Sequence, residues 1–197
     1  MVRILSPTRE AGPGRPVILA VPSLFGGPHE LERLDETLGF LGDGVVVPIQ
    51  DGRGDTSITV AAVAEMVTDV ITKTCADRTV VLVGASIGAT ACLAVRHPCV
   101  KRIEAIEPIL DTESLRSALP QVRTAMSRAG TDQQALFTSL LGVTAQGLQR
   151  LDHSYVLEGL ATPTQVLLGD LTSRTPRNPS DLPRFVAVEE RARMAAH

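Results

Sequence analysis

A short apolar stretch that runs into Gly-Ala-Ser-Ile-Gly at residues 84–88 is the feature that most constrains this fold. Residues 80–83 are mostly β-branched, and the run is too short for a helix but typical of a buried parallel strand. The small residues at 89–95 are compatible with a helix. A strand that turns directly into a helix needs a tight bend with glycines on both sides of its tip. The stretch therefore predicts a strand, a sharp turn with Ser86 at its tip, and a helix.

The G-x-S-x-G pattern at this turn makes Ser86 a candidate nucleophile. Its hydroxyl would lie where a strand ends and a helix begins, and backbone N–H groups there can receive a developing oxyanion. A dinucleotide fingerprint needs a second glycine where Ser86 stands, and a phosphate loop needs a lysine after Gly88, so both are excluded. The alternative is a turn of small residues that carries a serine by chance.

The composition narrows the class of protein. With 197 residues, the chain is long enough to bury a real core, and we expect one domain over residues 1–197. A net charge of −3, no Trp and one Tyr supply neither the basic surface nor the stacking residues of nucleic-acid binding. The N-terminus lacks a secretory pattern, and no apolar run approaches the roughly 18 residues of a membrane span. We expect a cytoplasmic protein that binds no membrane.

Cysteine usage indicates neither disulfides nor a metal centre. The three cysteines are odd in number, and we interpret them as reduced, buried apolar residues. Cys92, His97 and Cys99 lie close in sequence but have no recognised metal-ligand spacing. We therefore expect no metal and no cofactor.

Strands alternate with helices along the chain, which predicts a doubly wound α/β domain with a mainly parallel sheet. Apolar runs typical of strands lie at 16–21, 44–49, 102–106 and 164–170, and helical patterns lie at 29–41, after a predicted cap at Ser57, and at 185–197. Residues 112–160 are predicted to be helical and to form a lid. The apolar side chains in and next to that segment would line a pocket or form the core of the lid: Leu110, Leu115, Leu119, Leu136, Phe137, Leu140 and Leu141.

Candidate site residues follow the predicted strands at one edge of the sheet, where sites in such folds lie. They are Ser86, the loop at residues 24–27, Glu107, Asp111 and Asp170. The sequence predicts an active site at this edge.

The arrangement resembles the α/β-hydrolase superfamily over nearly the whole chain. The matching pieces are Val-Pro-Ser-Leu-Phe-Gly-Gly at 21–27, Asp-Gly-Arg-Gly-Asp at 51–55, the Ser86 turn, and the helical segment before Pro-Thr-Gln-Val-Leu-Leu-Gly-Asp at 163–170. Within the superfamily, it is most similar to thioesterases that act with polyketide and nonribosomal peptide synthases. No β-branched run follows residue 170, so the last strand of the family is missing from the pattern.

The resemblance implies acyl transfer through an acyl-enzyme on Ser86, from a thioester or ester to water or another nucleophile. The acyl substrate would be presented by an acyl or peptidyl carrier protein. The oxyanion hole would be the backbone N–H of Ile87 plus that of Leu24 or Phe25.

The acid has three candidates by this resemblance. Asp170 follows the late strand, where most of the superfamily places the acid, and we favour it. Glu107 or Asp111 follows the preceding strand, a position that the synthase thioesterases use. Each carboxylate has an alternative role as an exposed cap or turn residue.

The histidine is where the chain departs from the family, which orders its triad as serine, acid, histidine. His197 is the only histidine after Asp170, and it ends a helical pattern without the usual preceding glycine. His29 and His153 are alternative bases, whereas His97 precedes a proline and is expected to be structural. If none is the base, either the natural protein continues past 197 or the hydrolytic step is lost. The chain would then be a lyase, a cyclase or a binding module.

Overall fold

The computed structural model describes residues 15–25, 43–49, 58–75 and 77–168. Strands alternate with helices in this part of the chain, as the sequence pattern predicts. The strands are β1 (Val17–Val21), β2 (Asp43–Val46), β3 (Val80–Ala85), β4 (Val100–Ile106) and β5 (Thr164–Leu167). The α-helices are α1 (Val60–Thr74), α2 (Ile87–Ala94), α3 (Leu119–Arg128) and α4 (Thr131–Leu141), and 3-10 helices cover Thr112–Ala118 and Ser154–Leu157.

The strands form one sheet in the order β2-β1-β3-β4-β5, and every neighbouring pair is parallel. The chain leaves β1 in one direction to build β2 and returns to build β3 on the other side. The order of strands therefore reverses between β1 and β3, which is the point where ligands bind in open α/β sheets. The predicted doubly wound, parallel α/β class is confirmed.

Most of the core lies on the face of the sheet that α1 and α2 cover. Leu19, Leu82 and Ile103 occupy matching positions on three adjacent strands and have no exposed surface. The α2 helix is buried from Ile87 through Leu93, as expected of a helix that is apolar on every side. A second, smaller apolar cluster of Ile18, Ala20 and Val46 lies on the other face. Apolar clusters therefore lie on both faces of the sheet, and every residue of β1 is buried.

Several element bounds differ from the sequence expectation, and strand β4 begins at Val100 rather than residue 102. The α1 helix is capped by Thr59, whose Oγ1 accepts from the Ala62 N–H at 3.1 Å, and not by Ser57 as predicted. Strand β2 ends at Val46 rather than residue 49, and β5 ends at Leu167 rather than residue 170. The apolar runs extend beyond the strands because buried loop residues are apolar as well. The helices expected at 29–41 and 185–197 lie outside the described residues.

The predicted lid segment at 112–160 contains α3, α4 and both 3-10 helices. Its larger apolar side chains, with Leu110 just before it, are buried in the main core rather than open to a ligand: Leu110, Leu115, Leu136, Phe137, Leu140 and Leu141. Leu119 is only partly buried against them. Across the described ranges, none of the helices is both long and apolar enough to span a bilayer.

Candidate active site

Ser86 lies between β3 and α2 in a strained backbone conformation, with φ 56° and ψ −126°. Non-glycine residues rarely adopt positive φ, and the conformation costs about 1–3 kcal/mol. Hydrogen bonds hold the turn in place. The Ser86 N–H donates to the Ile106 carbonyl at 2.8 Å, and the Ser86 carbonyl accepts from Ala89 and Thr90 N–H at 3.0 and 3.2 Å. The backbone therefore has the sharp strand-to-helix geometry of a nucleophile elbow.

Two glycines allow this turn because there is no room for a side chain at either position. A Cβ on Gly84 would lie 2.4 Å from the Cα of Ala89. A Cβ on Gly88 would lie 2.4 Å from the Val21 carbonyl oxygen and 2.5 Å from that of Pro22. The first turn of α2 thus packs directly on the carboxyl end of β1. This contact places the loop after β1 beside the elbow.

The Ser86 side chain is only 7% exposed, and its Oγ is buried. In the part of the chain that the structure describes, this oxygen has no hydrogen-bond partner. A buried hydroxyl without a partner costs about 1–3 kcal/mol, and native proteins keep few of them. Folding alone does not account for backbone strain together with a buried hydroxyl that has no partner among the described residues.

The predicted oxyanion donors belong to the first turn of α2 and to the loop after β1. Ile87 is the first residue of α2, so its N–H has no acceptor within the helix. Leu24 and Phe25 lie in the loop after β1, where Val21 pairs in register with Gly84 of β3. The Phe25 N–H already donates to Ser23 Oγ at 3.2 Å. Leu24 is therefore the better second donor of the two.

Among the predicted acids, Glu107 directly follows the residue that bonds the elbow, and Asp111 takes part in a helix cap and an ion pair. Glu107 directly follows Ile106, whose carbonyl accepts from Ser86, and it has a positive φ of 46°. Asp111 accepts from Arg150 Nε at 3.1 and 3.0 Å, and its Oδ1 also accepts from the Glu113 N–H at 3.0 Å. These bonds give Asp111 a structural use as a helix cap and ion-pair partner. Asp170 lies outside the described residues.

Neither histidine of the described ranges is hydrogen-bonded to Ser86. The His153 ring is buried, and its Nε2 donates to the Leu140 carbonyl at 3.1 Å, which requires the proton on Nε2. The His97 Nδ1 accepts from the Cys99 N–H at 3.2 Å, which fits the structural role expected for it. His29 and His197 lie outside the described residues.

We expect the stability of the protein to fall as the pH drops below about 6.5, partly because of His153. Burial lowers the pKa of His153, and the hydrogen bond to Leu140 opposes that effect only partly. Since the unfolded chain then takes up the proton first, the contribution is complete above the unfolded pKa and is lost as the pH falls through the folded one. Urea unfolding at several pH values should show a shallower slope in His153→Gln, by at most about 1.4 kcal/mol per pH unit. An unchanged slope would contradict this assignment.

The described residues include no group of three His, Cys, Asp or Glu side chains that could hold a metal ion. The three cysteines are free, with Cys75 and Cys92 buried and Cys99 half-buried. Burial raises the pKa of Cys92 to about 12, so its thiol stays protonated and is a poor nucleophile.

Two side chains hold the site in place through hydrogen bonds that could not be predicted from the sequence. The Thr90 hydroxyl is buried in α2 and bonds both the N–H and the carbonyl of Ile109 at 2.9 Å, which ties the segment after β4 to the elbow helix. Gln133 of α4 donates from Nε2 to the Leu24 carbonyl at 2.8 Å. These contacts join residues far apart in the chain, so no local pattern could have shown them.

Comparison with known proteins identifies the fold. No family model and no curated protein matches the chain. Among solved structures, it is similar to the N-formylmaleamic acid deformylase of Pseudomonas putida, with a TM-score of 0.57 and 16% identity over 94% of this chain and 81% of that one. AqDC, which cleaves the ring of the Pseudomonas quinolone signal, has a TM-score of 0.49 and 13% identity over 84% of this chain and 80% of that one. At such low identity the likeness to the deformylase shows the fold alone, which is α/β-hydrolase-like.

Proposed function

We propose that the chain is a serine hydrolase or acyltransferase that forms an acyl-enzyme on Ser86 from a thioester or ester. The observation that carries this proposal is the elbow itself. Ser86 has a strained, positive-φ backbone between a buried strand and a buried helix, and its hydroxyl has no partner in the described residues. This hydroxyl lies where the strand order reverses between β1 and β3, and it is not already hydrogen-bonded to a described residue. It is therefore suited to attack a carbonyl carbon.

The proposed reaction begins when Ser86 Oγ attacks the acyl carbonyl and gives its proton to a base. The carbonyl oxygen becomes an oxyanion, which accepts hydrogen bonds from the Ile87 and Leu24 amides. The tetrahedral intermediate collapses with loss of a thiol or alcohol and leaves the acyl group on Ser86. Water or a second nucleophile then attacks that ester and restores the serine.

The proposed base and acid complete the triad from other parts of the chain. We keep His197 as the base, with His29 as the alternative, because the ring of His153 is already bonded within the lid segment. We keep Asp170 as the acid, with Glu107 as the alternative that lies one residue from the Ser86 hydrogen bond. The resemblance to synthase thioesterases supports a carrier-bound acyl substrate.

A second candidate is a non-hydrolytic protein on the same fold, such as a lyase, a cyclase or a binding module. The observation that favours it is the hydrogen bonding of His97 and His153, both of which are bonded away from Ser86. Without a base, a serine hydroxyl is a weak nucleophile. Backbone donors at the elbow could still orient a substrate in such a protein.

Labelling with a fluorophosphonate probe separates the two candidates. In an acylating enzyme, Ser86 Oγ displaces fluoride from the probe and forms a stable phosphonyl ester, so we expect one adduct on the peptide that contains Ser86. The native protein should label and the heat-denatured protein should not, because only the folded elbow activates the hydroxyl. An adduct in both samples, or in neither, would contradict the hydrolase proposal. Labelling of the native protein alone would exclude the binding module.

A further inference from the structure

Helix α4 makes two contacts with the loop after β1, although 109 residues separate Gln133 from Leu24. Gln133 Nε2 donates to the Leu24 carbonyl at 2.8 Å. One turn further along α4, the Phe137 ring meets Phe25 edge-on, with ring centroids 5.3 Å apart. Residues four apart lie on the same face of a helix, so one face of α4 holds both loop residues.

The hydrogen bond from Gln133 restrains a whole peptide plane. The Leu24 carbonyl and the Phe25 N–H belong to one rigid unit and point in opposite directions. Gln133 holds the carbonyl end, and Ser23 Oγ accepts from the N–H end at 3.2 Å. Rotation of this plane would therefore break two hydrogen bonds at once.

The direction of the Leu24 N–H depends on this restraint. Only the two dihedral angles of Leu24 separate its own amide from the restrained plane. The Leu24 side chain is buried with 3% exposure, which limits rotation of the residue as a whole. With the plane after Leu24 and its side chain both held, the Leu24 amide has little freedom to turn away from the elbow.

We propose that Gln133 is a positioning residue, which aligns the Leu24 N–H to donate a hydrogen bond to the oxyanion formed when Ser86 is acylated. This inference rests on the proposed function and adds a specific role for the lid segment. The same face of α4 contacts both Leu24 and Phe25. We therefore expect the oxyanion hole to be correctly formed only when α4 is packed against this loop. Loss of the Gln133 amide should weaken transition-state binding more than substrate binding.

The test compares Gln133→Leu with Gln134→Leu. Gln134 is the adjacent residue of α4, and its Nε2 also donates to a backbone carbonyl, that of Ala129 at 3.0 Å, but it does not reach the loop in the described contacts. Gln133→Glu is the second variant, since it keeps the size of the side chain and removes the N–H donors. Comparable unfolding midpoints for all three variants would show that the loop contact, and not the helix, has been changed.

The first readout is hydrogen–deuterium exchange in peptides that cover residues 17–25. Loss of a hydrogen bond with a net value of about 0.5–1.5 kcal/mol should speed exchange near Phe25 about two- to tenfold in both Gln133 variants, and not in Gln134→Leu. This readout needs no activity. Unchanged exchange in the Gln133 variants would overturn the inference whether or not Ser86 is reactive.

The second readout is the rate of fluorophosphonate labelling of Ser86, resolved into a saturation constant and a limiting rate. Removing an oxyanion donor outright costs about 10²–10³ in rate, so misalignment of one should lower the limiting rate about tenfold and leave the saturation constant unchanged. Equal limiting rates in Gln133→Leu and Gln134→Leu would overturn the positioning role. Absence of labelling in the unaltered protein would instead overturn the proposed function. The hydrogen–deuterium exchange experiment would still test the contact between Gln133 and the loop.

Discussion

Replacing Ser86 with alanine is expected to abolish turnover and, at the same time, to stabilise the protein. Turnover of an activated thioester should fall by about 10³-fold or more, because the proposed nucleophile is removed. The free energy of unfolding should rise by about 1–3 kcal/mol, because a buried hydroxyl without a partner in the described residues disappears. Opposite changes in activity and stability are the signature of a residue kept for chemistry.

Ser114→Ala is the matched control for that experiment. Ser114 Oγ donates to the Asp111 carbonyl at 2.7 Å, so its hydroxyl has a partner, and it belongs to the 3-10 helix after β4. We expect this variant to lose stability by about 0.5–1.5 kcal/mol and to keep full turnover. Thiol release and urea unfolding measure both quantities on the same samples. A Ser86→Ala protein that is less stable, or that keeps its turnover, would contradict the account of the elbow.

Gly88→Ala is expected to lower the free energy of unfolding, against the helix propensity of alanine. Propensity alone would favour the change by about 0.8–1 kcal/mol, since Gly88 lies within α2. The added Cβ, however, would lie 2.4 and 2.5 Å from the backbone oxygens of Val21 and Pro22, and backbone cannot rotate away as a side chain can. We expect a net loss of about 1–3 kcal/mol, as for other overpacked sites.

The same substitution should reduce labelling of Ser86, because α2 and the loop after β1 must move apart. Gly147→Ala is the control, since a Cβ at Gly147 would meet nothing within 4 Å. Thermal unfolding and labelling rates measured on both variants check the prediction. Equal stability of the two variants would show that the close contact at Gly88 does not exist.

The strands, their parallel class and the elbow could be predicted from sequence because their causes are local. A run such as residues 80–83 is buried on one face of the sheet and half-buried on the other, and that burial selects apolar residues at every position. Gly84 and Gly88 are required by the turn between them, which spans only five residues. The placement of Ser86 between β3 and α2 therefore follows from the residues around it.

The surroundings of the candidate site could not be predicted in this way. Asp111 and Glu107 follow the same strand and are both predicted acids, yet Asp111 is bonded to Arg150, whereas Glu107 directly follows Ile106, whose carbonyl accepts from Ser86. The sequence predicts His153 as an alternative base, whereas its ring is bonded to the Leu140 carbonyl. Long polar side chains reach partners far along the chain, and no local pattern records which partner each one meets.

The amino-acid sequence by itself determined the alternation of strands and helices and the turn that carries Ser86. These features depend on the spacing of apolar residues along the chain and on the steric requirements of a few adjacent residues. The tertiary structure alone decided that β1 lies beside β3, that Gln133 holds the Leu24 carbonyl, and that the Ser86 hydroxyl is buried. Those outcomes depend on which surfaces pack together, and packing joins residues that are distant in the chain.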